Sequence, residues 1–194
     1  MLLDRCPNLE ELSINGFSVH STNIGRLLQG RWPRLRTLVL GDVVDINISQ
    51  ASDTKAPFVK FLETHPNLEV LTASRHALSP AQLTTMEPTA LPLLQRFTGT
   101  LEQLQSIAPN HLTLTHVGFS EPMLMRDVTP LAVSLVLQGL VHLESLSIGF
   151  VLGSMYESGN LVRSLVGACP KLRRLELVCG HKPSFPLVSY ICLR

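Results

Sequence analysis

Apolar residues return along this chain at fixed offsets: one leucine-type residue, another apolar position three residues on, and a third two further on. The pattern occurs as Leu9-Leu12-Ile14, Leu35-Leu38-Leu40, Leu68-Leu71-Ala73, Leu94-Phe97-Gly99, Leu114-Val117-Phe119, Leu143-Leu146-Ile148 and Leu172-Leu175-Leu177. Pro stands two residues before the first position at Pro7, Pro33, Pro66, Pro92 and Pro170, so the phase does not come from leucine abundance alone. Successive copies begin about 26, 33, 26, 20, 29 and 29 residues apart, the range of a short structural repeat with one insertion. In a copy such as Glu11-Leu12-Ser13-Ile14 the apolar and polar residues alternate, which predicts a short strand with one buried face. A strand this short cannot bury its apolar face alone. Neighbouring copies are therefore expected to stack as parallel strands over a shared core.

The intervening segments read as helices. Ser21 to Arg31 sets Ile24, Leu27, Leu28 and Trp32 at helical spacing, and Lys55 to His65 does the same with Phe58, Phe61 and Leu62. Thr129-Pro130 and Ser79-Pro80 each pair an N-cap residue with the imino acid favoured at the first helical position. Ser158 to Cys169 carries Leu161, Leu165 and Val166 on one stripe. Strand, crossover helix and parallel strand form a right-handed unit, and its repetition predicts an α/β fold: a curved solenoid with a parallel sheet inside and helices outside. The fourth and fifth copies fit least well. Gly99 takes an inward position, the helix around Leu101 to Ala108 is short, and a register starting at Leu112 remains open.

The 194 residues are 45% hydrophobic and 16% charged, which suits one elongated domain with a long core and excludes disorder as the main state. Lys and Arg number 16 against 15 Asp and Glu, giving net charge +1, so the chain lacks the basic excess of a nucleic-acid or anionic-membrane binder. The clusters Arg31/Arg34/Arg36 and Lys171/Arg173/Arg174 read as solvated loop edges. The longest apolar stretch, Leu131 to Val141, is too short to span a bilayer and reads as a buried helix. The first residues show no basic segment followed by a hydrophobic run, so no secretory signal is expected.

Cys6 and Cys169 hold the same position in widely separated copies and should not meet. Cys169, Cys179, His181 and Cys192 are the nearest approach to a metal cluster, but no Cys-x-x-Cys pair occurs among them. Reduced thiols, no metal, no cofactor and an intracellular location are the expectation. No Gly-x-Ser-x-Gly, phosphate-binding glycine loop or His-Glu-x-x-His is found. His142 near Glu144 and His116 near Glu121 are isolated pairs, and sequence proximity does not supply the held geometry of acid-base catalysis. The chain is not expected to be an enzyme.

The Cys/Trp/His-Pro-x-Leu-x-x-Leu-x-Leu units resemble the leucine-rich repeats of the ribonuclease-inhibitor-like type. More narrowly, they are similar to the repeat region of F-box/leucine-rich-repeat proteins, especially fungal ones. The resemblance covers nearly the whole chain and implies a leucine-rich-repeat solenoid of about seven repeats. It also implies a substrate-recruiting role in a ubiquitin-ligase adaptor, with an F-box that these residues do not contain. One departure is clear. The position eight residues after the first leucine, usually Asn or Cys, is Phe17, Val43, His76, Glu102, Pro122, Val151 and Gly180, so no asparagine or cysteine ladder can form.

Alternation puts small polar residues on the outward strand positions. Glu11, Arg96, His116, Arg174 and Glu176 are the large polar groups among them, and so the candidate anchors for a protein partner. A structural or decayed repeat fragment with no partner is the alternative. Leu2 to Leu9 aligns without a gap to Leu165 to Leu172, which predicts that Met1 falls inside a helix and that the chain is cut from a longer solenoid. Residues 178–194 match no full repeat and are expected to be irregular. Open ends of such a stack would favour self-association.

Overall fold

The computed structural model describes residues 6–15, 27–41, 55–124, 128–151, 156–179 and 190–192. Among them lie nine strands of one sheet. These are β1 (Glu11–Ile14), β2 (Thr37–Leu40), β3 (Val70–Ala73), β4 (Arg96–Gly99), β5 (His116–Phe119), β6 (Met123–Leu124), β7 (Ser145–Val151), β8 (Arg174–Cys179) and β9 (Tyr190–Cys192). The helices are α1 (Pro57–Glu63), α2 (Pro80–Leu83), α3 (Leu101–Ile107), α4 (Pro130–Gln138) and α5 (Tyr156–Ala168). The order across the sheet is β1-β2-β3-β4-β5-β7-β8-β9, with β6 also pairing with β7. Strands β1 to β8 run parallel, so the fold is α/β with a parallel sheet. Of the helix expected over Ser21 to Arg31, residues 21–26 lie outside the described residues.

Register follows from a backbone device that recurs in every copy. The N–H of the first leucine donates to the carbonyl three residues back: Leu9 to Cys6, Leu35 to Trp32, Leu68 to His65, Leu94 to Leu91, Leu114 to His111, Leu143 to Leu140 and Leu172 to Cys169, at 3.0–3.3 Å. This turn, with Pro inside it in five copies, brings the chain into the strand. The carbonyl of the next residue then accepts two N–H groups from the following copy. Glu10 receives Arg36 and Thr37, Arg36 receives Glu69 and Val70, and the same holds at Glu69, Gln95, Thr115 and Glu144, at 2.7–3.0 Å. Each strand is thus hooked onto its predecessor before its side chains meet. Leu12, Leu38, Leu71, Phe97, Val117, Leu146 and Leu175 consequently fall in one row across the sheet. All seven are buried. Leu114 is buried and Leu112 exposed, which resolves the alternative register of the fifth copy in favour of Leu114.

The weak fourth copy has a packing explanation. A Cβ at Gly99 would meet the Phe97 ring and Gln103 Oε1, each at 2.5 Å, so the large Phe97 fills the space that Gly99 leaves. Gln103 is fully buried in α3 and fully used. Its Oε1 accepts the Thr100 N–H at 2.8 Å, while its Nε2 donates to the carbonyls of Ser74 at 3.0 Å and Leu78 at 2.6 Å. With Thr100 Oγ1 accepting from the Gln103 N–H it forms a capping box, so one side chain starts a helix and also ties it to the preceding copy. Ser79 and Gln82 make the same box at α2, and Thr129 caps α4.

Two expectations need correction. The stretch Leu131 to Val141 is not a buried helix: Leu131 and Leu135 are 66% and 60% exposed. Val133, Leu137 and Leu140, spaced by four and three residues, are buried together with Ser134, and Val136 packs partly against them, because the helix buries a single face. Within the segment 178–194, expected to be irregular, Val178 and Cys179 end β8, and β9 pairs antiparallel with β8 (Arg174 with Cys192, Glu176 with Tyr190). Reversing direction lets a strand that follows no repeat still satisfy the backbone groups on that side of β8.

The residue opening each turn forms a second buried column: Trp32, His65, Leu91, His111, Leu140 and Cys169 are buried, whereas Cys6 at the first copy is exposed. His65 joins two copies. Its Nε2 accepts the Trp32 N–H at 3.1 Å, which fixes the proton on Nδ1, and that proton goes to the Phe61 carbonyl at 2.7 Å. Burial holds His65 below the ordinary histidine pKa, with Arg31 adding to the effect and the Phe61 carbonyl opposing it. At His111 the Nε2 is buried with no hydrogen-bond partner among the described residues, and burial again lowers the pKa.

Candidate functional site

The strand alternation that buries one set of residues turns the other set outward. Thr37, Val39, Val70, Thr72, Thr98, Gly118, Ser145, Ser147 and Gly149 are half-buried, with lateral neighbours but open on top. Register then decides which of the five candidate anchors stand together. Glu11, Thr37, Val70, Arg96, His116, Ser145 and Arg174 occupy one row, each paired with the next. Arg96 and His116 are on adjacent strands, and Arg174 lies two strands beyond His116 with Ser145 between. Glu11 shares the row but sits three strands from Arg96. Glu176 is on the same strand and face as Arg174, one row further on, beside Ser147.

His116 is held from below. Its Nδ1 lies 2.9 Å from Thr115 Oγ1, whose hydroxyl is also 3.2 Å from the Gln95 carbonyl. With the Thr115 proton on that carbonyl, Nδ1–H donates to Thr115, and Nε2 is left as the free ring nitrogen. The His116 pKa is lowered first by partial burial, then by the positive charge of Arg96. Glu144 acts in the opposite direction, and Arg174 adds a further lowering. Both guanidinium groups therefore reach the imidazole electrostatically. Among the described residues neither Arg96 nor Arg174 forms an ion pair, in contrast to Arg36, which meets Glu69 at 3.1 Å, and Arg75, which meets Glu121 at 3.4 Å.

The His-carboxylate pairs visible in the sequence do not form. His142 Nδ1 approaches Lys171 Nζ at 3.2 Å, and Glu121 is taken by Arg75. A depression of about 410 Å³ opens beyond the carboxyl ends of β4 and β5, lined by Arg75, Leu101, Glu102, Phe119, Glu121 and Met123 among others. Its volume is that of a small-ligand site, but Arg75 and Glu121 already satisfy each other at its rim. Among the described residues no group of three or more His, Cys, Asp or Glu could hold a metal ion. Cys169 is a buried thiol whose pKa burial pushes up to about 11, whereas the side chains of Cys179, His181 and Cys192 lie outside the described residues. No helix among the described residues is long and apolar enough to cross a membrane.

No protein-family model matches the chain, and no curated protein matches it in sequence.

Proposed function

We propose that this chain is a leucine-rich-repeat solenoid of the ribonuclease-inhibitor-like type, and that it is a non-catalytic protein-interaction module whose outward strand face binds a protein partner. The observation that carries this reading is the stacking of like strand-and-turn units in chain order. It leaves a sheet face floored by small side chains, with a few large polar groups rising from it. A surface built one strand per repeat is extended and quasi-regular, the kind of surface on which repeat proteins bind other chains. The resemblance of the units supports a narrower reading: the substrate-recruiting repeat region of an F-box-type ubiquitin-ligase adaptor, acting inside the cell.

The test is affinity capture from cells with wild-type protein, with Ser147→Trp, which obstructs the face at β7 between His116 and Arg174, and with Arg96→Glu/His116→Glu. Loss of the same partner from both variants, with melting curves close to wild type, is the expected result. Undiminished capture by both would overturn the assignment of the strand face. Failure of a cullin-type ligase core to co-purify with the full-length protein would overturn the narrower reading and leave the broader one standing.

A further inference from the structure

We infer that the row Arg96–His116–Ser145–Arg174 is the docking site for an extended acidic peptide segment that lies across the strands of β4, β5, β7 and β8, with carboxylates on every second residue. This rests on the strand face being the interaction surface and specifies the chemistry of what it takes. The row is defined by backbone pairing, so its spacing is set by the sheet. Arg96 and Arg174 stand three strand steps apart, roughly 14 Å at ~4.8 Å per step. An extended peptide advances ~3.4 Å per residue, so its residues i and i+4 are about 14 Å apart and share one face, with i+2 between them near His116 and Ser145.

The neighbouring row, Thr98–Gly118–Ser147, is low, and Gly118 has no side chain to stand in the way. A peptide backbone lying over it would place its acidic side chains against the two arginines. Both lack ion-pair partners among the described residues, and guanidinium groups take carboxylates in bidentate fashion. Glu176 and Glu144 are the opposing charges nearby. Glu176 closes the low row next to Arg174, and Glu144 lies in the turn leading into β7. They argue against a polyanion and for a segment with discrete, spaced carboxylates.

The test uses fluorescence anisotropy with a labelled nine-residue peptide of serine and glycine carrying aspartate at its third, fifth and seventh positions. An otherwise identical peptide with asparagine at those positions is the control. The expected result is saturable binding of the aspartate peptide, weakened by salt and absent for the asparagine peptide. It should fall at least tenfold in Arg96→Gln/Arg174→Gln and stay unchanged in Arg34→Gln, an exposed arginine outside the row. No binding, equal binding of the two peptides, equal binding by the double variant, or an equal loss in Arg34→Gln would each overturn the inference. If cellular capture is abolished by Ser147→Trp but survives Arg96→Gln/Arg174→Gln, the strand face stands as the interaction surface and the acidic segment does not.

Discussion

Replacing His111 with leucine should stabilise this protein. The side chain is 2% exposed, and its Nε2 is buried with no hydrogen-bond partner among the described residues. A buried unsatisfied polar atom costs about 1–3 kcal/mol. The corresponding residues of the flanking copies are Leu91 and Leu140, both buried, so leucine already fits this column on either side. A swap of similar volume has a repacking cost usually below ~1.5 kcal/mol. The net expectation for His111→Leu is a gain of about 1–2 kcal/mol, or a rise in Tm of ~2–8 °C for a chain of this length. The pH dependence sharpens the test. Because burial depresses the folded-state pKa of His111, its neutral form contributes full stability above the unfolded value of about 6.5. As pH falls below that value the unfolded chain takes up a proton that the native state excludes, and this stability is lost. The variant lacks the loss at position 111 and keeps the one at His65, which has the same sign. Thermal and urea melts at pH 7.5 and 5.5 should therefore show a variant that is more stable at both, by a wider margin at pH 5.5. A less stable variant at pH 7.5, or a margin that narrows on acidification, would refute the argument.

Gln103→Leu should destabilise by about 2–4 kcal/mol in urea melts, since it strands the carbonyls of Ser74 and Leu78 and the Thr100 N–H together. Gly99→Ala should cost about 1–3 kcal/mol by forcing a methyl group into the Phe97 ring, and adding Phe97→Leu, which recreates the Leu71/Ala73 pair of β3, should recover part of it. A double variant no better than the single would remove Phe97 as the cause. Cys169 should resist iodoacetamide in native protein at pH 8 and react after unfolding, as peptide mass spectrometry would show, because its thiol is buried and its pKa is about 11.

Much of the sheet was legible in advance because each strand carries its own phase. The offset from Leu9 to Leu12 and Ile14 fixes which residues face inward, and the matching offsets in later copies fix register without any knowledge of the loops. The same logic places Arg96, His116 and Arg174 in one row. What it could not give is their electrical environment, since Glu144 and Arg174 act on His116 from strand neighbours far away in the chain. Gln103 was missed for a related reason. A glutamine in a short helix reads as solvated surface, and only the carbonyls of Ser74 and Leu78 in the preceding copy reveal it as a buried link. The exposure of Leu131 and Leu135 is not legible in the sequence, because a continuous apolar run hides the boundary between the two faces of a helix. β9 follows no repeat, and antiparallel addition at a sheet edge depends on backbone groups that no side-chain pattern advertises.

The hook that seats each strand on its predecessor also bears on the order of folding. Closing one copy onto the next always involves a loop of about 20 to 33 residues, and the difference in closure entropy between those extremes is only about 0.4 kcal/mol. Loop length therefore gives no copy a head start, and the choice falls to pairing and packing. β7 and β8 match six residues where the other neighbouring parallel pairs match two to four. Native-state hydrogen exchange should accordingly find the slowest amides where β7 and β8 bond each other, at Leu146, Ile148 and Glu176, with the shorter strand pairings opening first. Equal protection along the whole sheet would mean that the copies open as one unit, instead of parting link by link at the shorter pairings.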